Sequence, residues 1–294
     1  MTMNETVSGG WVSPLAEVSD APLIRLGTFG ELDCYAKPGY MYPTGSIKYR
    51  VAGRMIDKAE DAGELSGGVT ILERSSGNTG IALVYEGRRR GYTVKIFTGN
   101  DVTSDAKRMM REHGGEVVEV DGYFDACGNA IRELMERAPE LYYWPDQISN
   151  PVSLKSNIDL GNEIAIELTP DIFIASAGTG STITGVGSAL KNANPDLQIY
   201  LVTPQSHFDV PGIDDISTYH APLFCIDLID EKIAVSQSDA IAAAKLTYEA
   251  FGHPVGISAG AVLAAARKIG RKHGGKAVLI FADHRNRYTH LLGE

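Results

Sequence analysis

Cysteine is scarce in this chain, and the few cysteines present form no pattern. The 294 residues contain three, Cys34, Cys127 and Cys225, which are far apart and odd in number. They form neither a CxxC pair nor a spacing typical of zinc ligands, so we expect no disulfide framework and no metal site. Such a chain fits a reducing compartment, and we expect a cytoplasmic protein.

Positive charge and long apolar runs are also lacking. The chain carries 27 Lys and Arg against 37 Asp and Glu, a formal net charge of -10, which argues against nucleic acid as a partner. No apolar run approaches the length of a membrane span. Residues 1–12 are polar and lack the apolar core of a signal peptide, so we also expect no membrane partner.

What the chain does have is a regular alternation of strand and helix patterns. Short, continuously apolar runs alternate with segments of helical periodicity, which predicts an α/β fold with mostly parallel sheets covered on both faces. The predicted strands are 69–73, 93–98, 116–120, 171–175, 198–202 and 277–281. The predicted helices are 79–90, 104–113, 124–138, 154–168, 181–193, 236–251 and 258–273.

A polar stretch divides this alternation into two parts. Residues 146–153 (DQISNPVS) interrupt the pattern and suggest a passage between two sheets. We therefore expect two three-layer domains: a smaller N-terminal domain over 46–150, and a larger domain formed by 1–45 and 151–294. The stretch 203–223 contains three prolines and shows little periodicity. It is therefore predicted to be a loop.

A glycine-rich turn follows the predicted strand 171–175. Gly178, Thr179, Gly180, Ser181 and Thr182 lead from that strand into a predicted helix. Such a turn presents backbone N–H groups at the positive end of a helix dipole, where phosphate binds. Neither the nucleotide fingerprint GxGxxG nor a P-loop lysine is present, so the phosphate need not belong to a nucleotide.

Two other loops of small residues open predicted helices. Ser75, Ser76, Gly77, Asn78 and Thr79 follow the strand 69–73, and their donors suit a carboxylate. The alternative is simple capping of a helix, which explains one or two of these residues. A third loop, 256–261 (GISAGA), carries a serine that is either an ordinary cap or a partner for a ring nitrogen.

Lys48 ends the turn-rich stretch 42–48 (YPTGSIK) and begins a segment with helical character. Most lysines are solvated surface charges. At a helix start, however, the dipole favours the neutral amine, and a neutral lysine can form an imine with a carbonyl compound. Together with the phosphate and carboxylate loops, this predicts that Lys48 carries pyridoxal phosphate in an enzyme acting on amino acids.

These segments are similar, in order and spacing, to the motifs of fold-type II pyridoxal-phosphate enzymes. The chain most resembles the cysteine synthase and cystathionine β-synthase family. The matching motifs are PTGSIK at 43–48, SSGNTG at 75–80, QISNP at 147–151, GTGSTITG at 178–185 and GISAGA at 256–261. The resemblance runs over nearly the whole chain and implies the tryptophan synthase β-like fold and a homodimer.

The resemblance also implies residue roles. Lys48 would hold the cofactor and later move the substrate α-proton, while Asn78 would hydrogen-bond the ring oxygen and Ser258 the ring nitrogen. The implied phosphate-binding residues are Gly178, Thr179, Gly180, Ser181 and Thr182. The implied substrate-binding residues, which would grip the α-carboxylate, are Ser75, Ser76, Gly77, Thr79 and Gln147.

The implied reaction is a β-replacement on an amino acid with a β-leaving group, of the O-acetylserine, O-phosphoserine or serine type. It would pass through a bound aminoacrylate to which a small nucleophile adds, as in cysteine synthases. A β-elimination lyase, such as a serine or threonine dehydratase or a cysteine desulfhydrase, would use the same residues. A third hypothesis is a catalytically inactive relative that serves as a binding or regulatory partner. The intact Lys48 argues against it.

The chain departs from the family at several positions. Arg74 stands where proline is usual, and either faces a second acid group of a substrate or points to solvent. Asp214 and Asp215 stand where small residues are common, and would repel an anionic nucleophile or bind a basic group. The histidines His207, His220 and His284 are candidates for positions near the pocket, but the family chemistry does not require a histidine base.

Overall fold

A computed structural model describes residues 21–100, 102–122, 124–206, 210–214, 216 and 221–293. Its strands are β1 (Ile24–Phe29), β2 (Leu32–Pro38), β3 (Thr70–Arg74), β4 (Thr93–Thr98), β5 (Glu116–Glu119), β6 (Tyr142–Tyr143), β7 (Ile172–Ser176), β8 (Gln198–Pro204), β9 (Glu231–Val235) and β10 (Gly275–Phe281). Its helices are α1 (Lys48–Asp61), α2 (Asn78–Arg89), α3 (Ser104–Glu112), α4 (Phe124–Arg137), α5 (Pro151–Glu167), α6 (Ser181–Ala193), α7 (Gln237–Phe251), α8 (Ile257–Ile269) and α9 (Thr289–Leu292).

The strands form two sheets. The larger has the order β1-β2-β10-β7-β8-β9, in which only the β1–β2 pair is antiparallel. The smaller has the order β5-β4-β3-β6 and is parallel throughout. The predicted α/β class with mostly parallel sheets is therefore confirmed.

Each sheet is covered by helices on both faces, because alternate side chains of its strands enter different cores. In β10, Leu279 packs into the core of α7 and α8, whereas Val278 packs into that of α5 and α6. In β3, Ile71 packs with α1, α2 and α3, and Leu72 packs with α4. This three-layer arrangement brings loops together at the carboxyl ends of parallel strands, where α/β folds bind ligands.

Some elements differ from the sequence-based prediction. Strands β1, β2 and β9 are not predicted, because they contain glycine, proline or charged residues in place of a continuous apolar run. Helix α5 begins at Pro151, earlier than the predicted position 154. The Asn150 side chain caps it by accepting from the Val152 backbone N–H at 2.9 Å, and proline suits a first helical position.

The C-terminal end of α8 also differs from the prediction. The helix ends at Ile269, not at 273. The next residue, Gly270, lies so close to the β1–β2 turn that a Cβ would be 1.9 Å from the Phe29 carbonyl oxygen. No described helix combines the length and the apolar character needed to cross a bilayer.

Candidate active site

The Lys48 loop is fastened to the segment that follows β10. The Ile47 N–H donates to the Ala282 carbonyl at 2.9 Å, and Ser46 forms an isolated antiparallel bridge with Asp283. The buried Arg287 donates through Nη2 to the Thr44 carbonyl at 2.7 Å. These long-range contacts hold the loop rigidly and place Lys48 as the first residue of α1.

The Lys48 amine has the electrostatic setting that an imine-forming lysine needs. Burial lowers its pKa from 10.5 to about 8. The positive end of the α1 dipole acts in the same direction. In the described part of the chain no carboxylate forms an ion pair with Lys48, so nothing there holds it in the charged form.

The phosphate loop connects β7 to α6. Gly180 has φ of +80°, a left-handed backbone conformation that residues with a side chain rarely adopt. A Cβ at this position would lie 2.5 Å from the Phe224 Cβ. The N-cap residue of α6 is Gly180, which has no side chain to cap the helix, so within the described structure the first N–H groups of α6 are left for a ligand. The Ser181 hydroxyl lies 3.3 Å from Thr179 Oγ1 and accepts from the Asn157 amide at 3.3 Å.

In the loop 75–80, the buried Ser75 serves the helix itself. Its Oγ accepts the N–H groups of Gly77 and Gly80, at 3.1 and 2.9 Å, at the start of α2. The capping alternative therefore applies to Ser75, whose hydroxyl proton is still available to a ligand. Ser76 is exposed and Gly77 is half-buried.

Gln147 links this loop to the phosphate loop. Its Oε1 accepts from the Thr79 hydroxyl at 2.8 Å, and its Nε2 donates to Thr179 Oγ1 at 3.2 Å. Thr79 belongs to α2 beside the smaller sheet, whereas Thr179 follows β7 of the larger sheet. The two predicted binding loops are thus joined through one buried side chain.

Asp283 is a second point of convergence, and the sequence analysis does not identify it. Its carboxylate is 1% exposed and accepts from Asn78 Nδ2 at 2.8 Å and from the Tyr288 hydroxyl at 2.6 Å. Its carbonyl accepts the Gly256 N–H at 2.9 Å. A Cβ at Gly256 would lie 2.0 Å from Asp283 Oδ1, so only glycine fits there.

Through these contacts, Asp283 brings together the loops that carry Lys48, Asn78 and Ser258. Ser258 lies in the first turn of α8 and is 3% exposed. Its hydroxyl has no hydrogen-bond partner among the described residues. A Cβ at Gly212 would lie 3.8 Å from the Ser258 Cβ, so the segment 210–214 passes directly over this serine.

Glu73 is another buried acid near the site, and the sequence motifs do not point to it. It accepts from Trp144 Nε1 at 3.0 Å, from the Gln147 N–H at 3.1 Å and from the Arg74 N–H at 2.9 Å. Burial raises its pKa from 4.5 to about 7. An acid inside a predicted apolar strand is the signal that could have identified it, because buried carboxylates need partners.

The residues at which the chain departs from the family have distinct positions. Arg74 faces neither the candidate substrate site nor open solvent: its guanidinium packs against Phe124 and Trp144. Asp214 is exposed beside the phosphate loop, and a Cβ at Gly178 would lie 3.5 Å from its Oδ2. His284 Nδ1 accepts the Asn286 N–H at 3.0 Å and so serves a turn. Asp215, His207 and His220 lie outside the described residues.

Comparison with known proteins decides the family. Residues 15–283 match the family described as "Pyridoxal-phosphate dependent enzyme". The chain belongs to this family. It is 31% identical over 291 residues to a probable cysteine synthase of Bacillus subtilis, covering 92% of this chain and 94% of that protein. The predicted family, the enzymatic nature and the pyridoxal phosphate cofactor are thereby confirmed.

Solved structures of similar proteins agree with this family. O-acetyl serine sulfhydrylase isoform 3 from Entamoeba histolytica matches with a TM-score of 0.84 and 26% identity, covering 98% of this chain and 92% of that one. A hydrogen sulfide-producing enzyme from Fusobacterium nucleatum matches with a TM-score of 0.87 and 26% identity, covering 96% and 99%.

The residues of this pyridoxal-phosphate enzyme fit the cofactor. The uncapped start of α6 suits a phosphate dianion, and Lys48 can supply a neutral amine close to physiological pH. Asn78 Oδ1 is buried without a hydrogen-bond partner in the described structure, and its Nδ2 has a second hydrogen to donate. Buried groups of this kind require a partner, which a polar ring substituent can provide.

Proposed function

We propose that this enzyme catalyses a β-replacement on an amino acid with a β-leaving group, of the O-acetylserine, O-phosphoserine or serine type. A small nucleophile takes the place of the leaving group, as in the cysteine synthases that the chain resembles. The observation that carries this proposal is the convergence on Asp283 of the loops bearing Lys48, Asn78 and Ser258.

Lys48 is the proposed catalytic residue. Bound pyridoxal phosphate supplies an aldehyde for the substrate amino group and a ring that withdraws electrons from Cα. The Lys48 amine holds the cofactor and, once released by the substrate, takes the proton from Cα. Its pKa of about 8 suits this task, because a base works best when its pKa is near the operating pH.

Ser258 directs the chemistry towards loss of the β-substituent. With the cofactor bound, a neutral hydroxyl beside the ring nitrogen would leave that nitrogen unprotonated, so the ring would withdraw electrons less strongly than beside an acid. Such a site would suit substrates whose β-leaving group departs promptly. This favours β-elimination and β-replacement over transamination.

The substrate α-carboxylate is placed at the loop 75–80. The exposed Ser76 and the N–H groups at the start of α2 provide donors, and Thr79 and Gln147 face each other at 2.8 Å. A carboxylate entering here accepts the second hydrogen of Gln147 Nε2, and it accepts from the Thr79 hydroxyl once that hydroxyl rotates away from Gln147 Oε1. We propose that residues 46–150 move as a smaller domain towards 1–45 and 151–294, and so exclude water from the site.

A β-elimination lyase is the second candidate, and one observation favours it. A structural neighbour is described as a hydrogen sulfide-producing enzyme. In a lyase the same residues act, and water completes the reaction.

The test is to incubate the protein with O-acetylserine, O-phosphoserine, serine or cysteine, each without a nucleophile and with each of several small nucleophiles including sulfide, and to quantify products by mass spectrometry. β-Replacement gives cysteine or another β-substituted alanine only when the nucleophile is present. Pyruvate released without a nucleophile would identify the lyase instead. The variant Lys48→Ala should abolish both products, whereas Lys155→Ala, which removes an exposed lysine of α5, should abolish neither. Absence of product from every donor would exclude both candidates.

We also propose that the protein is a cytoplasmic homodimer. None of the three cysteines forms a disulfide, which fits a reducing compartment. The homodimer is the family expectation. Light scattering at micromolar concentration would measure the mass, and a mass near 31.6 kDa would contradict a dimer.

A further inference from the structure

The end of β3 holds the segment 144–147 from two sides. Glu73 accepts from the indole N–H of Trp144 and from the backbone N–H of Gln147, at 3.0 and 3.1 Å. Arg74 contacts the face of the same indole, with its Cζ 5.5 Å from the ring centroid. Two successive residues of one strand thus fix one short segment, because neighbouring side chains of a strand point to opposite faces.

The Arg74 side chain lies in a site shaped to receive it. It is 13% exposed, and its Cζ lies 4.5 Å from the centroid of the Phe124 ring. A Cβ at Gly128 of α4 would lie 2.6 Å from Arg74 Nη1, so glycine makes room for the guanidinium. A planar cation between two aromatic rings is a specific arrangement that lysine does not reproduce.

Arg74 also contacts Asp146, the residue immediately before Gln147. Arg74 Nη2 lies 3.6 Å from Asp146 Oδ1. Asp146 has φ of +46°, the only positive φ of a non-glycine residue in the described part of the chain. Such a conformation persists only where its surroundings enforce it. The Ser149 and Asn150 N–H groups, which donate to the Asp146 carbonyl, share that enforcement with the ion pair and with the Ser149 hydroxyl, which donates to the Asp146 carboxylate.

The consequence of this geometry falls on Gln147. Its backbone direction follows from the turn at Asp146, and its side chain spans the gap between Thr79 and Thr179. An amide that must reach two partners at once tolerates little displacement of its own backbone.

We propose that Arg74 is a positioning residue for Gln147. The guanidinium, held between Phe124 and Trp144, fixes the left-handed turn at Asp146 and thereby aims the Gln147 amide at the substrate carboxylate and the phosphate loop. Arg74 itself does not touch the substrate. The inference rests on the proposed function only in assigning Gln147 to substrate binding.

The first test compares Arg74→Met with Arg74→Lys in the holoenzyme. The dissociation constant of serine is measured from the change it causes in the absorbance of the bound cofactor, so no turnover is required. Arg74→Met should weaken serine binding about tenfold, or 1.4 kcal/mol. Arg74→Lys should fall between wild type and Arg74→Met, because it keeps the charge and loses the planar stacking. The control Arg137→Met removes an exposed arginine of α4 and should leave binding unchanged.

A double-mutant cycle separates positioning from general damage. In a Gln147→Ala background, Arg74→Met should cause no further loss of serine binding, because the group it positions is gone. An equal loss in both backgrounds would overturn the proposal. Unchanged serine binding in Arg74→Met would overturn it as well.

Asp146→Asn provides a second variant if Arg74→Met fails to fold. Asparagine tolerates the left-handed conformation but removes the ion pair. It should weaken serine binding in the same direction as Arg74→Met, and wild-type binding would contradict the proposal. If the wild-type enzyme binds serine but forms no product, the proposed β-replacement fails while the role of Arg74 stands. If wild type binds no amino acid, the role of Arg74 is also rejected.

Discussion

Burial is what makes Lys48 a usable nucleophile near neutral pH. With its pKa lowered to about 8, about one amine in ten is neutral at pH 7, whereas with an ordinary pKa of 10.5 fewer than about one in a thousand would be. The turn 43–47 and its contacts with the segment 282–284 keep Lys48 in that environment. The pKa of Lys48 thus depends on the packing of a part of the chain that is distant in sequence.

This predicts the pH dependence of cofactor uptake by the apoenzyme. Only the neutral amine attacks the aldehyde, so the rate should rise about tenfold per pH unit below pH 8 and level off above it. Absorbance after rapid mixing with pyridoxal phosphate measures this rate. A rate that continues to rise beyond pH 9.5 would show that the Lys48 pKa is not lowered. Lys48→Ala, measured in parallel, should show no imine absorbance.

At the scale of elements, the site is made of helix starts at the carboxyl ends of parallel strands. Helices α1, α2, α6 and α8 all begin at this edge of the fold. Their positive ends favour a phosphate, a carboxylate and a neutral lysine, which are the groups that this chemistry brings together. The connecting loops therefore have to be short and closely packed, which explains their glycines.

Gly180→Ala tests this packing. The substitution combines a left-handed φ with a Cβ 2.5 Å from the Phe224 Cβ, and should lower the free energy of unfolding by about 2–4 kcal/mol. Gly91→Ala is the matched control, because Gly91 has φ of +88° and no atom near its Cβ position, so it should lose only about 1–2 kcal/mol.

Urea denaturation measures the loss in free energy of unfolding for both variants. In a separate dialysis experiment, the fraction of cofactor retained should fall only for Gly180→Ala. Equal unfolding midpoints for the two variants would mean that the contact with Phe224 is relieved by a shift of the loop.

At the scale of the whole molecule, hydrogen bonds between residues far apart in sequence connect the two sheets and their helices. Asn78 bonds to Asp283, Gln147 bonds to Thr179, and the Thr289 hydroxyl donates to Asp105 at 2.7 Å. These contacts include proposed ligand-binding residues. We therefore expect substrate and cofactor to bind where the two sheets and their helices meet, and we expect binding to stabilise the folded state.

Glu73 makes stability depend on pH. Its pKa is about 7 in the folded protein and 4.5 as a free side chain, so the unfolded chain loses this proton more readily. The stabilisation it provides is complete below about pH 4.5 and is lost as the pH rises through 7, a change of at most about 3 kcal/mol.

Glu73→Gln should remove this pH dependence from the free energy of unfolding. The difference between wild type and variant, measured by urea denaturation at several pH values, should decline from pH 5 to pH 8. Glu133→Gln, in which the acid is exposed on α4, should show no such slope. A constant difference for Glu73→Gln would show that Glu73 titrates normally in the folded protein.

The local features of this protein can be predicted from short stretches of its sequence. Small residues between an apolar run and a helical pattern encode turns, caps and exposed backbone N–H groups, because these depend on φ, ψ and neighbouring side chains alone. The loops 43–48, 75–80, 178–182 and 256–261 and the core strands were therefore predictable, and five motifs in order identified the family.

The hydrogen-bond partners of the buried polar atoms, in contrast, can be identified only from the folded chain. Nothing near Asp283 in sequence shows that it binds Asn78 and Tyr288, and nothing near Arg74 places it between two aromatic rings. Strands β1, β2 and β9 likewise depend on the strands beside them. The reason is the same in each case. Side-chain burial and strand pairing depend on residues that the fold brings together from distant parts of the chain, and the local sequence does not encode these contacts.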